Sequence, residues 1–373
     1  MDTTIENVRH NVRTIDLDAI RNNVQAMRAA VPETAMLLAV VKADAYGHGA
    51  VQVAQAALEA GASWLAVALV EEGVELRKAG ITAPILVLGA TSFEEAILAS
   101  KKDITVTVCN AAMVNTAQRA ADATGKPVKV HLKLDTGMGR IGARSEAEVQ
   151  AVLDTLTACP GVWLTGVFTH FADCDGQDLV YTRLQLERFI AWSNLLPEGI
   201  IRHCANSAAI HRLMPEVAFD MVRMGISLYG YPPVATDCPL QPAMTWTTQV
   251  THVKTIQAGE TVSYGRTWTS EKPTVLATFA CGYGDGYHRA ASGKAQVIIR
   301  GVKVPVVGRI CLDQMVADVT GVGGVAPGDT VTLLGTDGEA TITAENIASW
   351  AGTISYEILL AATGRVPRVW LHE

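Results

Sequence analysis

Short apolar runs alternate with segments of helical period through the first two thirds of this chain, and that alternation predicts its architecture. Between Thr14 and about Pro233 eight runs read as strands: Leu37 to Lys42, Trp64 to Ala68, Ile85 to Gly89, Ile104 to Val108, Val128 to Leu134, Val162 to Thr169, Ile201 to Ala205 and Met221 to Tyr229. Between them Val51 to Ala60, Val70 to Ala79, Phe93 to Ala99, Met113 to Ala121, Ala147 to Ala158 and Asp178 to Leu195 read as helices. A doubly wound open sheet would alternate in the same way, but the count of eight favours an α/β fold built on a (β/α)8 TIM-type barrel.

After Pro232-Pro233 the pattern changes. The runs Thr247 to Ile256, Thr274 to Phe279, Gln296 to Ile299, Lys303 to Val307, Met315 to Val319 and Thr330 to Leu333 are separated by Gly, Pro and Asp turns, with one helical stretch, Thr343 to Trp350. The expected division is therefore a barrel domain over residues 1–240 and a mainly β C-terminal domain over 241–373.

Composition narrows the class. Hydrophobic residues make up 49% of the 373 and charged ones 18%, so a large core is expected and disorder is not. The net charge of -7, from 30 basic and 37 acidic residues without a long run of either sign, gives no reason to expect a nucleic-acid partner. Seven cysteines without a Cys-x-x-Cys pair suggest neither a disulfide framework nor a structural zinc site. The segment Met1 to Arg13 is polar and charged, and no apolar stretch reaches membrane-spanning length, so a soluble cytoplasmic protein without metal is expected.

Within this frame one residue stands out. Lys42 closes the apolar run Met36-Leu37-Leu38-Ala39-Val40-Val41, where partial desolvation would lower its pKa and favour a nucleophilic amine able to form a Schiff base. A strand-end lysine can also simply snorkel to solvent. Other candidate residues fall on or past predicted barrel strands, toward the carboxyl ends where barrel enzymes hold their active sites: the polar Arg140, His170, His203, Asn206 and Ser207, with Arg223, Gly225 and Ile226 on or after the eighth strand. The Asn206-Ser207 segment near the seventh strand and Gly225-Ile226-Ser227 near the last suit a phosphate site, since barrels often bind phosphate with the loops after strands seven and eight.

Nine ordered motifs carry a resemblance that covers nearly the whole chain: V-V-K-A-D-A-Y-G-H-G around Lys42, L-D-T-G-M-G-R-I-G ending near Arg140, F-T-H-F at His170, H-C-A-N-S-A-A at Ser207, V-R-M-G-I-S-L-Y-G at Arg223, V-S-Y-G at Tyr264, G-Y-G-D-G-Y at Tyr283, G-R-I-C-L-D-Q at Asp313 and I-S-Y-E at Tyr356. Together they resemble the pyridoxal 5'-phosphate (PLP) dependent alanine racemases, which join a (β/α)8 barrel to a C-terminal β domain. The resemblance implies that Lys42 carries PLP as an aldimine and is one of two catalytic bases. Tyr264, supplied by the other subunit of a homodimer with shared active sites, would be the second, working on the opposite face of the substrate carbon.

By the same matching, Arg223 would meet the pyridine nitrogen, His203 would hold Arg223, and His170 would lie beside the ring. Tyr46, Ser207, Gly225, Ile226 and Tyr356 would contact the phosphate, with Asn206 also at the cofactor. Arg140 would meet the cofactor's phenolic oxygen and the substrate carboxylate, which the backbone amide of Leu312 from the second subunit would also contact. Lys133 stands where some relatives carry a carbamylated lysine. Tyr283, Tyr287, Arg289, Arg309 and Asp313 match segments of an entryway that would admit a small amino acid. Asp44 and Gly284 depart from the frequent asparagine and alanine without removing a proposed catalytic group. The implied role is supply of D-alanine for peptidoglycan.

The alternatives are a serine/alanine racemase of broader specificity, a PLP amino-acid decarboxylase on a related scaffold, and a single-barrel PLP carrier. The decarboxylase would require a carboxylate where Arg223 stands. The carrier would lack the second domain and Tyr264.

Overall fold

The computed structural model describes residues 10–373, so residues 1–9 of the polar segment Met1 to Arg13 lie outside the described residues. In chain order the strands are β1 (Val12–Asp16), β2 (Met36–Val40), β3 (Trp64–Val67), β4 (Ile85–Ala90), β5 (Thr105–Val108), β6 (Val128–Lys133), β7 (Val162–Phe168), β8 (Ile201–His203), β9 (Met221–Met224) and β10 (Met244–Ile256). Further on come β11 (Thr261–Val262), β12 (Trp268–Thr269), β13 (Thr274–Phe279), β14 (Gln296–Ile299), β15 (Val302–Pro305), β16 (Met315–Asp318), β17 (Thr330–Asp337), β18 (Ala340–Ile342) and β19 (Arg368–Leu371).

The chain forms two compact units, one of residues Asp18–Ala45 and Gly49–Gln241, the other of residues 10–17, Tyr46–His48 and Pro242–Glu373. In the first, β2 to β9 make an eight-stranded sheet in the order β8-β7-β6-β5-β4-β3-β2-β9, parallel at each pairing. Its two ends approach each other, with Arg223 N donating to Ala205 O and Asp220 N to Arg202 O, both at 3.1 Å. The eight strands thus form the nearly closed barrel expected from their count.

The helices Ala50–Glu59, Val70–Lys78, Phe93–Lys101, Ala111–Thr124, Glu146–Thr157, Val180–Ser193 and Ser207–Leu213 follow β2 to β8 in turn. Leu37, Leu38, Ala39 and Leu65 are fully buried, as strands covered on both faces require. Several helices begin on a side chain that accepts a first-turn N–H: Ser92, Asn110, Ser145 and Asn206 serve Glu95, Met113, Glu148 and Ala209. Gly225 ends the run read as a single strand from Met221 to Tyr229, and Ile226–Tyr229 turns into one 3-10 turn.

In the second unit the main sheet runs β15-β14-β17-β10-β1-β19, with β13 bridging β10 and β16, and β18 on β17. The expected 1–240 domain placed the N-terminal strand with the barrel. Instead β1 pairs antiparallel with β10 and parallel with β19. Its partners lie far along the chain, and a strand's own residues carry no signal of such a non-local pairing. Among the described residues no helix is long and apolar enough to cross a membrane.

Candidate active site

Lys42 follows β2 directly. The β2–β3 ladder extends one residue past the strand through Val41 N, which donates to Ala66 O at 2.8 Å. The backbone then takes a left-handed turn, with Ala43, Asp44 and Ala45 at φ of 51°, 53° and 52°. Non-glycine residues reach this region at a cost of about 1–2 kcal/mol each, so the surroundings must hold them there. Glu72, in the first turn of Val70–Lys78, does part of this. Its Oε1 accepts Ala43 N at 2.6 Å, and its Oε2 accepts Ala68 N at 2.7 Å and Leu69 N at 3.1 Å. Asp44 Oδ1 accepts Ala50 N at 2.9 Å, a contact that the amide oxygen of an asparagine makes equally well. The Lys42 amine has no hydrogen bond among the described residues, and burial, followed by the Arg140 charge, lowers its pKa.

On β9, the strand paired with β2, Arg223 is almost wholly buried. Nη1 donates to His203 Nδ1 at 3.1 Å and to His203 O at 3.2 Å. Nη2 faces Thr169 O, Cys204 O and His170 Nδ1 at 2.8, 2.9 and 3.3 Å. The remaining N–H, on Nε, has no partner among the described residues. Burial lowers the Arg223 pKa to about 10, so the group remains a cation near neutrality.

A guanidinium only donates, and this fixes the protons beyond it. His203 Nδ1 must accept, so its proton sits on Nε2, which lies 3.0 Å from His131 Nδ1. His131 in turn carries its proton on Nε2, which finds no partner. The second ring fits because Gly166 stands beside it: a Cβ there would lie 2.6 Å from the imidazole. Burial drives the His131 pKa down to about 3. Burial, then the Arg223 charge, holds His203 and His170 well below the ordinary imidazole value. All three imidazoles are neutral near pH 7, and the chain that starts at Arg223 has no proton to pass on.

Lys133, at the end of β6, is 2% exposed. Its Nζ donates to Leu134 O at 2.8 Å and lies 5.4 Å from the centre of the Phe168 ring, which also stacks on His203 at 4.9 Å. Burial, then Arg223, lowers the Lys133 pKa to about 7. Arg140 is exposed and has no hydrogen bond among the described residues. Ser207 Oγ accepts Gly225 N at 2.9 Å and Ser227 N at 3.4 Å, drawing two of the proposed phosphate segments together. Asn206 Oδ1 is the helix cap on Ala209 N at 3.0 Å.

In the other unit Tyr46 and Tyr356 lie with ring centroids 5.9 Å apart. Burial, then Tyr356, raises the Tyr46 pKa. Tyr264 is 68% exposed, flanked by Ser263 and Gly265 at φ 65° and 72°. The Arg309 Nη1 atom comes within 2.9 Å of where a Cβ on Gly265 would stand. The Leu312 amide N–H has no partner among the described residues, while its carbonyl accepts Gly284 N at 2.8 Å. Arg365 Nη2 holds Asp313 at 2.7 Å. Tyr283 and Arg289 are exposed. Tyr287 is not available to an entryway in this chain. It is buried, 6.1 Å from Trp246 between ring centroids.

The donors in the barrel fit PLP: an amine of lowered pKa, a buried guanidinium with one N–H uncommitted, and a hydroxyl and backbone amides gathered at Ser207. Among the described residues no group of three or more histidines, cysteines or carboxylates could hold a metal ion. Residues 15–233 match the alanine racemase N-terminal domain and residues 243–370 the alanine racemase C-terminal domain. A curated alanine racemase of Desulfosudis oleivorans is 46% identical, covering 95% of this chain and 95% of its own. The crystal structure of alanine racemase from Bacillus anthracis with bound L-Ala-P superposes with a TM-score of 0.91 at 38% identity, covering 98% of this chain and 95% of its own. A histidine racemase from Leuconostoc mesenteroides is 28% identical, with a TM-score of 0.90 and 98% of each chain covered.

Proposed function

The chain belongs to the alanine racemase family, a family of amino-acid isomerases, and on that premise we propose that it interconverts L- and D-alanine as a homodimer with shared active sites, supplying D-alanine for peptidoglycan. Its cofactor is PLP, whose aldehyde, when bound, condenses with an amine and whose ring takes up negative charge as the substrate's α-proton leaves. Lys42, Tyr46, Arg140, His170, His203, Asn206, Ser207, Arg223, Gly225, Ile226 and Tyr356 would hold it.

The lowered pKa of Lys42 enlarges the fraction of neutral amine, which takes or returns the α-proton on one face of the substrate. The partner subunit's Tyr264 does the same on the other, so that removal on one face and return on the opposite one inverts the centre. Arg140 and the amide of the partner subunit's Leu312 bind the carboxylate. The entryway is proposed from Tyr283, Arg289, Arg309 and Asp313.

The observation that carries this reading is the uncommitted N–H of buried Arg223. It can donate to a pyridine nitrogen but not protonate it, and neutral His203 and His131 behind it supply no proton. The ring is thereby kept a weaker electron sink, which suits racemisation better than the decarboxylase alternative.

The direct test supplies PLP and either alanine enantiomer to the protein and follows the other by chiral chromatography, with serine and histidine alongside. Equal amounts of the two alanines from either side are expected. Decarboxylation, or racemisation of serine or histidine in preference to alanine, would refute the assignment. Serine turnover at lower efficiency is compatible with it, because a pocket seldom strongly rejects a substrate that only adds a hydroxyl.

Carbamylation of Lys133 is part of the same proposal. Carbamate forms only on a neutral amine, and a pKa near 7 leaves much of the Lys133 amine neutral under neutral conditions. With 13C-labelled bicarbonate, a carbamate carbonyl signal is expected in the wild type and not in Lys133→Met. Protonation removes the neutral amine as pH falls through about 7, so the signal should fade in that direction. A signal that persists in Lys133→Met would assign it elsewhere.

A further inference from the structure

Tyr181, Gln185 and Arg188 lie on the helix Val180–Ser193, and their spacing of four and three residues puts them on one face. All three bond to the loop that presents Arg140. Tyr181 Oη donates to Gly137 O at 2.8 Å, Gln185 Nε2 to Thr136 Oγ1 at 3.3 Å, and Arg188 Nη1 to Thr136 O at 2.9 Å. Gln185 also reaches the His170 segment, donating to His170 O at 3.1 Å and accepting Ala172 N at 2.9 Å.

The fit is close. Gly137 is at φ 151°, and a Cβ there would stand 2.5 Å from Tyr181 Oη and 3.2 Å from Gln185 Cγ. Within the same segment the buried Asp135 carboxylate accepts Gly137 N at 3.3 Å and Gly139 N at 2.8 Å. Thr136 Oγ1 lies 2.7 Å from Thr169 Oγ1, beside His170. The backbone before Arg140 is therefore held both by the helix and by Asp135, while the guanidinium itself is left unbonded by the chain's described residues.

We propose that Gln185, with Tyr181 and Arg188, is a positioning device that sets Arg140 and His170 relative to each other, and so governs how firmly the site holds a substrate carboxylate. Gln185 is wholly buried, and its two donor hydrogens and one acceptor bond join the two loops that bear these residues. A buried amide with its bonds made resists displacement, because separating the loops would strand polar groups. The inference rests on the proposed function for the role of Arg140, and on geometry alone for the clamp.

The test compares full-length wild type, Tyr181→Phe, Gln185→Met and Phe189→Leu. Phe189 is a buried residue of the same helix that packs on Phe219 with centroids 5.2 Å apart, and its truncation serves as a destabilised control. Gln185→Met should raise KM for alanine and the inhibition constant of propionate about 10-fold, the scale of one or two lost hydrogen bonds, with kcat changing less. Hydrogen exchange at residues 136–140 should quicken by a similar factor. Tyr181→Phe should shift both in the same direction by about 3-fold, and it decides the matter if Gln185→Met does not fold. Phe189→Leu should lower the melting temperature and move neither.

Unchanged KM and exchange in Gln185→Met and Tyr181→Phe, or an equal change in Phe189→Leu, would overturn the proposal. If the wild type does not racemise alanine, the proposed function fails while the exchange comparison still decides the clamp.

Discussion

Replacing Lys42 by alanine is expected to reduce racemisation in both directions by at least about 10³-fold, because in the proposed mechanism Lys42 is both a proton-transfer group and the cofactor's covalent anchor. The two losses can be separated. Added small amines can restore some proton transfer but not the covalent attachment, so partial rescue by methylamine should leave cofactor retention on gel filtration impaired. The fold should survive. Lys42 makes no hydrogen bond among the described residues, and its charge sits in a place that burial disfavours, so its removal costs little stability. The left-handed turn after it is held by Glu72 and Asp44 rather than by the lysine. Wild-type rates in the variant would remove Lys42 from the mechanism.

Tyr264→Phe is the second large effect. It deletes one oxygen from a ring that is mostly exposed in its own chain and has no hydrogen bond among the described residues, so stability should change by less than about 0.5 kcal/mol. If the partner subunit's Tyr264 is the base for one face, the L-to-D direction should slow by at least about 10²-fold, the usual scale for a positioned acid or base. The variant should retain its cofactor. Measured in deuterium oxide, exchange of the substrate α-proton by the Lys42 face should persist while inversion fails. Unchanged rates in both directions would refute the two-base scheme.

The barrel was legible because its strands are buried on both faces and so appear as near-continuous apolar runs, such as Leu37 to Val41. The strand β1 was not, since only pairing with β10 and β19 gives it its place. Nor was the turn at Ala43 to Ala45. Alanine gives no signal of positive φ, and the conformation is imposed by partners such as Glu72, whose own position three residues after Leu69 reads only as a helix start. Candidate residues drawn from the barrel motifs, Lys42, Arg140, His170, His203 and Arg223, fall in one unit and act electrostatically on one another.

Residues behind them escaped the sequence for a different reason. His131 lies in an ordinary strand run, and only the niche at Gly166 and the 3.0 Å contact with His203 reveal its role. Gln185 sits on a helix whose polar face looks solvated until the loop at Thr136 is seen against it. Tyr287 shows the converse case. Its motif matched an entryway segment, but the ring is buried.

The most direct measurement of the central claim is reduction of the protein with borohydride in the presence of PLP, followed by peptide mass mapping. A pyridoxyl mass on the peptide containing Lys42, with loss of the cofactor's visible absorbance band, is the result expected of an amine held at the mouth of this barrel. The same mass on Lys133 or any other lysine, with Lys42 unmodified, would contradict it.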